Sequence, residues 1–185
     1  MFPSPSRRSA RAAGPTPSRS ARGRGARTAY EFGADCVQPS TMMVVAQPER
    51  FFFYHPPGAM SEDCLYANVW SPRAALSGGA KLPVMVWIYG GGFVQGAASW
   101  PQYDGAQLAA RGVVLVSFNY RVGVFGLFSH PELSAESAHH ASGNYYMSDE
   151  IEALRWVHDN IAAYGGDPQR VTIFGESAGA SAVTN

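Results

Sequence analysis

The sequence predicts an α/β fold with a mostly parallel central sheet flanked by helices. Residues 82–89 (LPVMVWIY) and 113–118 (VVLVSF) are continuous apolar runs, suited to strands buried on both faces of a parallel sheet. A third run, Val171-Thr172-Ile173-Phe174, is β-branched and aromatic. Helical patterns stand between these runs, and alternation of strand and helix is the signature of parallel α/β layers.

The chain opens on an unusual segment. Residues 1–27 hold seven arginines and no acid among Ser, Pro, Gly and Ala. With almost nothing to bury, the segment cannot offset its ordering entropy and is expected to be disordered. A basic nucleic-acid arm, a transit peptide and a membrane-surface tether are its functional readings; by composition it fits a transit peptide, but its prolines and glycines spoil an amphipathic helix. A solvated tail, or a start foreign to the native protein, is the preferred reading. Residues 28–185 hold seven basic and fourteen acidic residues, a net −7, which argues against nucleic-acid binding by the folded body. The chain has no apolar run approaching ~18 residues, so no transmembrane helix is expected. The apolar core of a secretory signal is also missing from the start.

From Tyr30 onward the composition is globular, and the 185 residues suffice for one domain with a core. Residues 36–64 read as a long loop rich in Pro and Met. It contains Phe51-Phe52-Phe53-Tyr54, which fits a satellite cluster beneath a loop better than a substrate-gorge wall. Cys36 and Cys64 are the only cysteines; by themselves they permit one bridge or two thiols. Residues 65–70 alternate and stop at Ser71-Pro72, a strand, and residues 74–81 form a Gly/Ser turn. Residues 104–111 suit a short helix, 119–127 a glycine-punctuated loop and 131–142 a polar surface segment. Ser148 or Asp149 caps a long helix ending near Tyr164, with Ile151, Leu154, Trp156, Val157 and Ile161 as its apolar stripe. Gly165-Gly166 ends that helix, and Asp167-Pro168 turns the chain into the third run.

The chemistry is concentrated at two strand ends. After the third run comes Gly175-Glu176-Ser177-Ala178-Gly179, a G-x-S-x-G followed by the small residues Ala180, Ser181 and Ala182. The context is strand, tight turn, helix. Such a turn holds its serine at dihedrals that demand glycine or small neighbours. It lifts the hydroxyl onto a helix N-terminus, where free N–H groups favour negative charge. Acyl transfer needs a nucleophile, a base, a group orienting the base and donors aimed at the oxyanion. Ser177 is the candidate nucleophile. Gly90-Gly91-Gly92-Phe93 follows the first buried strand, and its N–H groups, with that of Ala178, are candidate oxyanion donors. No Gly-Lys-Ser/Thr follows, so a phosphate-binding P-loop is excluded. The bland alternative for both motifs is a tight glycine turn without chemistry.

At this point five segments, in order, resemble the type-B carboxylesterases, the cholinesterase-like branch of the α/β-hydrolases. Residues 62–72 (EDCLYANVWSP) resemble that family's EDCLYLNVW segment, and residues 87–93 (WIYGGGF) resemble its oxyanion strand and loop. Asn119-Tyr120-Arg121-Val122-Gly123-Val124-Phe125-Gly126, Gly143-Asn144-Tyr145 and residues 164–179 match its remaining motifs, so the resemblance covers about residues 28–185. It implies the N-terminal portion of an α/β-hydrolase fold and hydrolysis of small-molecule carboxylic esters through an acyl-enzyme, with no metal or cofactor. It implies Ser177 as nucleophile and the N–H groups of Gly91, Gly92 and Ala178 as the oxyanion hole. Glu176 would line the site without being the triad acid. Cys36 and Cys64 match the family's first disulfide. Members are often secreted or periplasmic, which leaves the compartment open here.

There are departures. Ala67 replaces a branched residue, Tyr164 replaces a Phe, and Tyr146, Ser148 and Glu150 stand where Gly, an aliphatic residue and Gln are common. A tyrosine at 146 is expected to strain the turn before the long helix. The segment between the cysteines has no Trp, which argues against choline esters. The family's opening strands are replaced by the arginine-rich segment. Its triad acid and histidine lie far downstream of the serine, and His55, His130, His139, His140 and His158 match neither position. The 185 residues alone are therefore expected to turn over little or no ester. A cholinesterase-like binding domain, or an inactive truncated product, is the alternative. Intact glycines around Ser177 speak against the binding domain.

Overall fold

A computed structural model of the chain describes residues 31–39, 58–77 and 79–185. The arginine-rich segment 1–27, the aromatic cluster at 51–54 and His55 lie outside the described residues.

Four strands form the central sheet: β3 (Ala67–Trp70), β4 (Leu82–Ile88), β5 (Val114–Phe118) and β6 (Gly166–Gly175), in the spatial order β3-β5-β4-β6. β4 runs parallel to both β5 and β6, and only β3 is antiparallel. The expected α/β class with a mostly parallel sheet is what forms. β1 (Asp35–Cys36) and β2 (Met60–Ser61) make a small separate parallel pair. Five helices accompany the strands among the described residues: α1 (Ala106–Ala109), α2 (Gly123–Leu127), α3 (Pro131–Glu136), α4 (Tyr145–Asn160) and α5 (Ala178–Val183).

The core explains why these runs are strands. Val84, Val86 and Ile88 of β4, Val114, Val116 and Phe118 of β5 and Val69 of β3 bury one face. Val157 of α4 and Ile161 just after it close over them. Every residue of β5 is buried, as its apolar run predicts. β4 differs from expectation. Its second face, Pro83, Met85 and Trp87, is exposed or half-buried, so burial alternates along the strand. On that face Trp87 packs its ring 4.9 Å from Phe174 and 5.1 Å from Tyr103. Pro83 also breaks the ladder. It has no N–H to donate, and residues 167–170 bulge opposite it between the pairs Leu82↔Gly166 and Val84↔Val171. Asp167 closes that bulge by accepting from the Gln169 N–H and the Arg170 Nε, and these bonds hold its carboxyl below the usual range.

Several local expectations need correction. Residues 123–127 are helical rather than loop, and a 3₁₀ turn (Arg73–Ser77) occupies the presumed Gly/Ser turn. The long helix starts at Tyr145, with Asn144 rather than Ser148 or Asp149 at its N-cap, and passes into a 3₁₀ turn at Ile161–Tyr164. Asp149 therefore sits in its second turn, buried, and serves a different purpose. Its carboxylate takes Arg121 Nη2 at 2.6 Å, Nε at 2.7 Å and backbone N–H at 3.0 Å. Ile151 does not join the core stripe and is exposed. Tyr146 is not strained. It lies inside the first turn of α4 without a positive φ, and packs 4.6 Å from the Phe93 ring. The strained residue of that pair is Phe93 itself, at φ 61°.

The candidate active site

The chain passes from β4 to β5 on one side of β4, then returns to place β6 on the other side. The carboxyl end of β4 is thus the point where the strand order reverses, the place where open α/β sheets form their crevice. The register sets the two candidate loops level with each other. Ile88 pairs with Gly175, so residue 89 and residue 176 leave the sheet side by side.

Small residues are required where the loops touch. A Cβ at Gly175 would lie 2.5 Å from the Gly179 carbonyl carbon and 2.7 Å from the Ile88 oxygen. A Cβ at Gly179 would strike the Ile88 and Tyr89 carbonyl oxygens. The two glycines of the G-x-S-x-G are therefore close-packing residues, against each other and against the end of β4. Between them Ser177 takes φ 53°, ψ −120°, a conformation that costs a non-glycine residue about 1–3 kcal/mol. Its side chain is exposed and has no hydrogen-bond partner among the described residues. Ala178 is buried at the start of α5.

The glycine loop abuts this elbow. A Cβ at Gly90 would meet the Glu176 carboxylate, its carbonyl oxygen at 2.7 Å and Ser177 Cβ at 3.0 Å. Gly91 has φ 112°, and a Cβ there would collide with the Gln95 carbonyl, so only glycine fits. Among the described residues, the N–H groups of Gly91, Gly92 and Ala178 have no acceptor. Behind the loop, Tyr89 and Tyr120 stack at 4.3 Å and clasp each other. The Tyr120 hydroxyl donates to the Tyr89 carbonyl at 2.6 Å, and the Tyr89 hydroxyl donates to the Tyr120 carbonyl at 3.0 Å. Burial pushes both phenols up, so they remain neutral donors. Tyr103 is pushed up to about 12, first by burial and then by the Glu176 carboxylate.

Of the residues singled out from sequence, the structure brings Ser177, Glu176 and Ala178 together with the loop that carries Gly91 and Gly92. Cys36 and Cys64 form a buried disulfide with Cα atoms 4.9 Å apart. His130, His139, His140 and His158 are exposed, and none bonds to Ser177. Among the described residues no group of three or more His, Cys, Asp or Glu side chains is placed to hold a metal ion. No described helix is long and apolar enough to cross a membrane. Two buried polar groups were not among the site residues expected from sequence. Gln38 bonds to the glycine loop, and Glu150 sits beside Asp149 with one carboxyl oxygen unpartnered among the described residues.

A serine at a left-handed strand-to-helix elbow, beside a glycine loop at the switch point of a mostly parallel sheet, defines the class as an α/β protein of the hydrolase type. The sequence model of the carboxylesterase family matches residues 4–185, and the chain belongs to that family. It is 58% identical over 123 residues to the fumonisin B1 esterase of Sphingopyxis macrogoltabida, covering 66% of this chain and 22% of that protein. It is 47% identical over 163 residues to a cocaine esterase of Oryctolagus cuniculus, covering 87% of this chain and 29% of that protein. Against the para-nitrobenzyl esterase of Bacillus subtilis (strain 168) the identity is 46% over 156 residues, 84% of this chain and 29% of that protein. The chain thus spans less than a third of the length of these relatives.

Proposed function

We infer that residues 28–185 are the part of a carboxylic ester hydrolase that carries its nucleophile and oxyanion donors. The observation behind this is the elbow: Ser177 at φ 53°, exposed, with Gly90 packed on its Cβ. In this reading Ser177 Oγ attacks the ester carbonyl while a histidine takes its proton. The N–H groups of Gly91, Gly92 and Ala178 receive the developing oxyanion, and the alcohol departs to leave an acyl-serine that water then cleaves. Preorganised donors of this kind each contribute roughly 10²–10³ in kcat. Glu176 lines the site. The histidine and its acid partner belong, on this reading, to the remainder of an esterase of the relatives' length. The relatives' names specify fumonisin B1, cocaine and para-nitrobenzyl esters. This chain is proposed to act in the shared class, small carboxylic esters.

Two measurements test it. The 185-residue chain and its Ser177→Ala variant should hydrolyse p-nitrophenyl acetate equally slowly. Ser177-dependent turnover at a full enzyme's rate would place the base inside the chain. A chimera in which residues 28–185 replace their counterpart in the para-nitrobenzyl esterase should be active and react with a fluorophosphonate at Ser177. Ser177→Ala should lower its kcat by about 10⁴-fold or more. A folded chimera that keeps its activity without Ser177 would refute the role.

A further inference from the structure

The glycine loop is held at its far end by a residue distant in sequence. Gly96 folds back against the loop's origin, so that a Cβ there would sit 2.6 Å from the Gly90 carbonyl oxygen and 2.7 Å from Tyr89 Cε2. Gly91 O accepts the N–H groups of Val94 and Gln95 at 3.1 and 3.2 Å, closing the turn between. What fixes Gly96 in place is Gln38. Its Oε1 accepts the Gly96 N–H at 2.8 Å, and its Nε2 donates to the Gly96 carbonyl at 3.0 Å and to the Cys36 carbonyl at 3.1 Å. The amide thus makes a two-way bond to one backbone residue 58 positions away, and these partners assign its orientation.

Gln38 is itself held from behind. It is 8% exposed and lies two residues after Cys36, whose disulfide to Cys64 anchors the segment. Asn119 ties the same layer together. Its amide nitrogen donates to the Ala34 and Cys64 carbonyls, and its oxygen accepts the Ala98 N–H at 2.9 Å. The tip of the loop is tethered separately, where the Gly123 N–H donates to the Phe93 carbonyl at 2.7 Å and the Phe93 ring packs on Tyr146. Gly91 and Gly92 lie between Gly90, against whose carbonyl Gly96 folds, and the tethered Phe93, and their N–H groups have no acceptors among the described residues. Loss of the Gly96 restraint would let their N–H vectors swing.

We propose that Gln38 is a positioning residue for the oxyanion loop, clamping Gly96 so that the Gly91 and Gly92 N–H groups keep one orientation. The catalytic part of this rests on the ester-hydrolase reading above; the clamp does not. Gln38→Met keeps the shape and removes all three bonds. Hydrogen exchange on the 185-residue chain should then show the hydrogen-bonded amides of Val94, Gln95 and Gly96 exchanging ~10-fold faster, with β4, β5 and β6 amides unchanged. Equal acceleration everywhere would mean a general stability effect, and no acceleration would mean no clamp; either overturns the proposal. Gln38→Glu keeps the acceptor and loses the donor, and gives the same comparison should the Met variant not fold. In the active chimera, Gln38→Met should lower kcat by ~10–100-fold with KM within about twofold. Binding of a trifluoromethyl ketone, a mimic of the tetrahedral adduct, should weaken in parallel. A rise in KM alone would assign Gln38 to substrate binding and overturn the positioning role. Selective loop exchange without Ser177-dependent hydrolysis in the folded chimera that keeps Gln38 would sink the esterase reading and leave the clamp standing.

Discussion

A methyl group at Gly179 would meet two backbone carbonyls, those of Ile88 and Tyr89, and neither can swing aside. Gly179→Ala should therefore destabilise the fold by about 3 kcal/mol, the upper range for overpacking, visible as a drop in the thermal midpoint. Gly92 makes the contrast. Its φ is 65°, but the nearest atom to an added Cβ is Val94 Cγ2 at 3.8 Å, so Gly92→Ala should cost only the ~1 kcal/mol of backbone strain. If the two variants melt alike, the close-packing account of the elbow is wrong. At this scale the elbow was legible because the G-x-S-x-G spacing reports a steric requirement directly. Gln38 was not legible. Nothing local marks a glutamine in a loop as the partner of a glycine 58 residues on.

The long helix α4 connects core, loop and charge. Tyr146 packs on Phe93, Val157 enters the core, and Asp149 anchors Arg121, whose guanidinium also lies 5.2 Å from the Tyr145 ring centre. Glu150 is buried next to that pair, but Arg121 is already committed to Asp149. Burial first, and the Asp149 charge second, push the Glu150 carboxyl up to about 7 from 4.5. Burial also pushes Asp149 up, opposed by its three bonds from Arg121. For Glu150 the sign follows from linkage. The folded state holds its proton to higher pH than the unfolded chain, so the contribution is complete below pH 4.5. It is lost as pH rises towards 7, by about 2–3 kcal/mol once partial solvent access is allowed for. Urea unfolding of the parent between pH 5 and 8 should weaken accordingly, and Glu150→Gln should flatten that slope. Parallel slopes in parent and variant would exclude Glu150 as the cause. The stripe along α4 was readable in outline. Its start was misjudged because Asp149 looks like a cap until the guanidinium of Arg121 is seen to occupy it.

Across the whole molecule, the disulfide joins the small β1–β2 layer across 28 positions of chain. Closing a loop of that size restricts the unfolded chain by an amount equivalent to ~3.5 kcal/mol in the chain-entropy model. Reduction, or a Cys36→Ser/Cys64→Ser double variant, should lower stability by about that much. Denaturant midpoints with and without reductant check it, and a negligible shift would show that the bridge restrains little. Sequence alone determined the α/β class, the existence of the four central strands, the elbow and the glycine loop. Each is governed by short-range rules: apolar runs for buried strands, and glycine or serine where dihedrals or close approach forbid larger side chains. Only the tertiary structure decided that β5 and β6 flank β4, and hence that the two loops meet at one end of the sheet. Only it showed that one face of β4 stays partly open, that Arg121 claims Asp149 rather than Glu150, and that Gln38 clamps Gly96. Those outcomes depend on which distant groups become neighbours once the core closes. Local propensity along the chain does not encode such meetings, because they are selected by the packing of the whole.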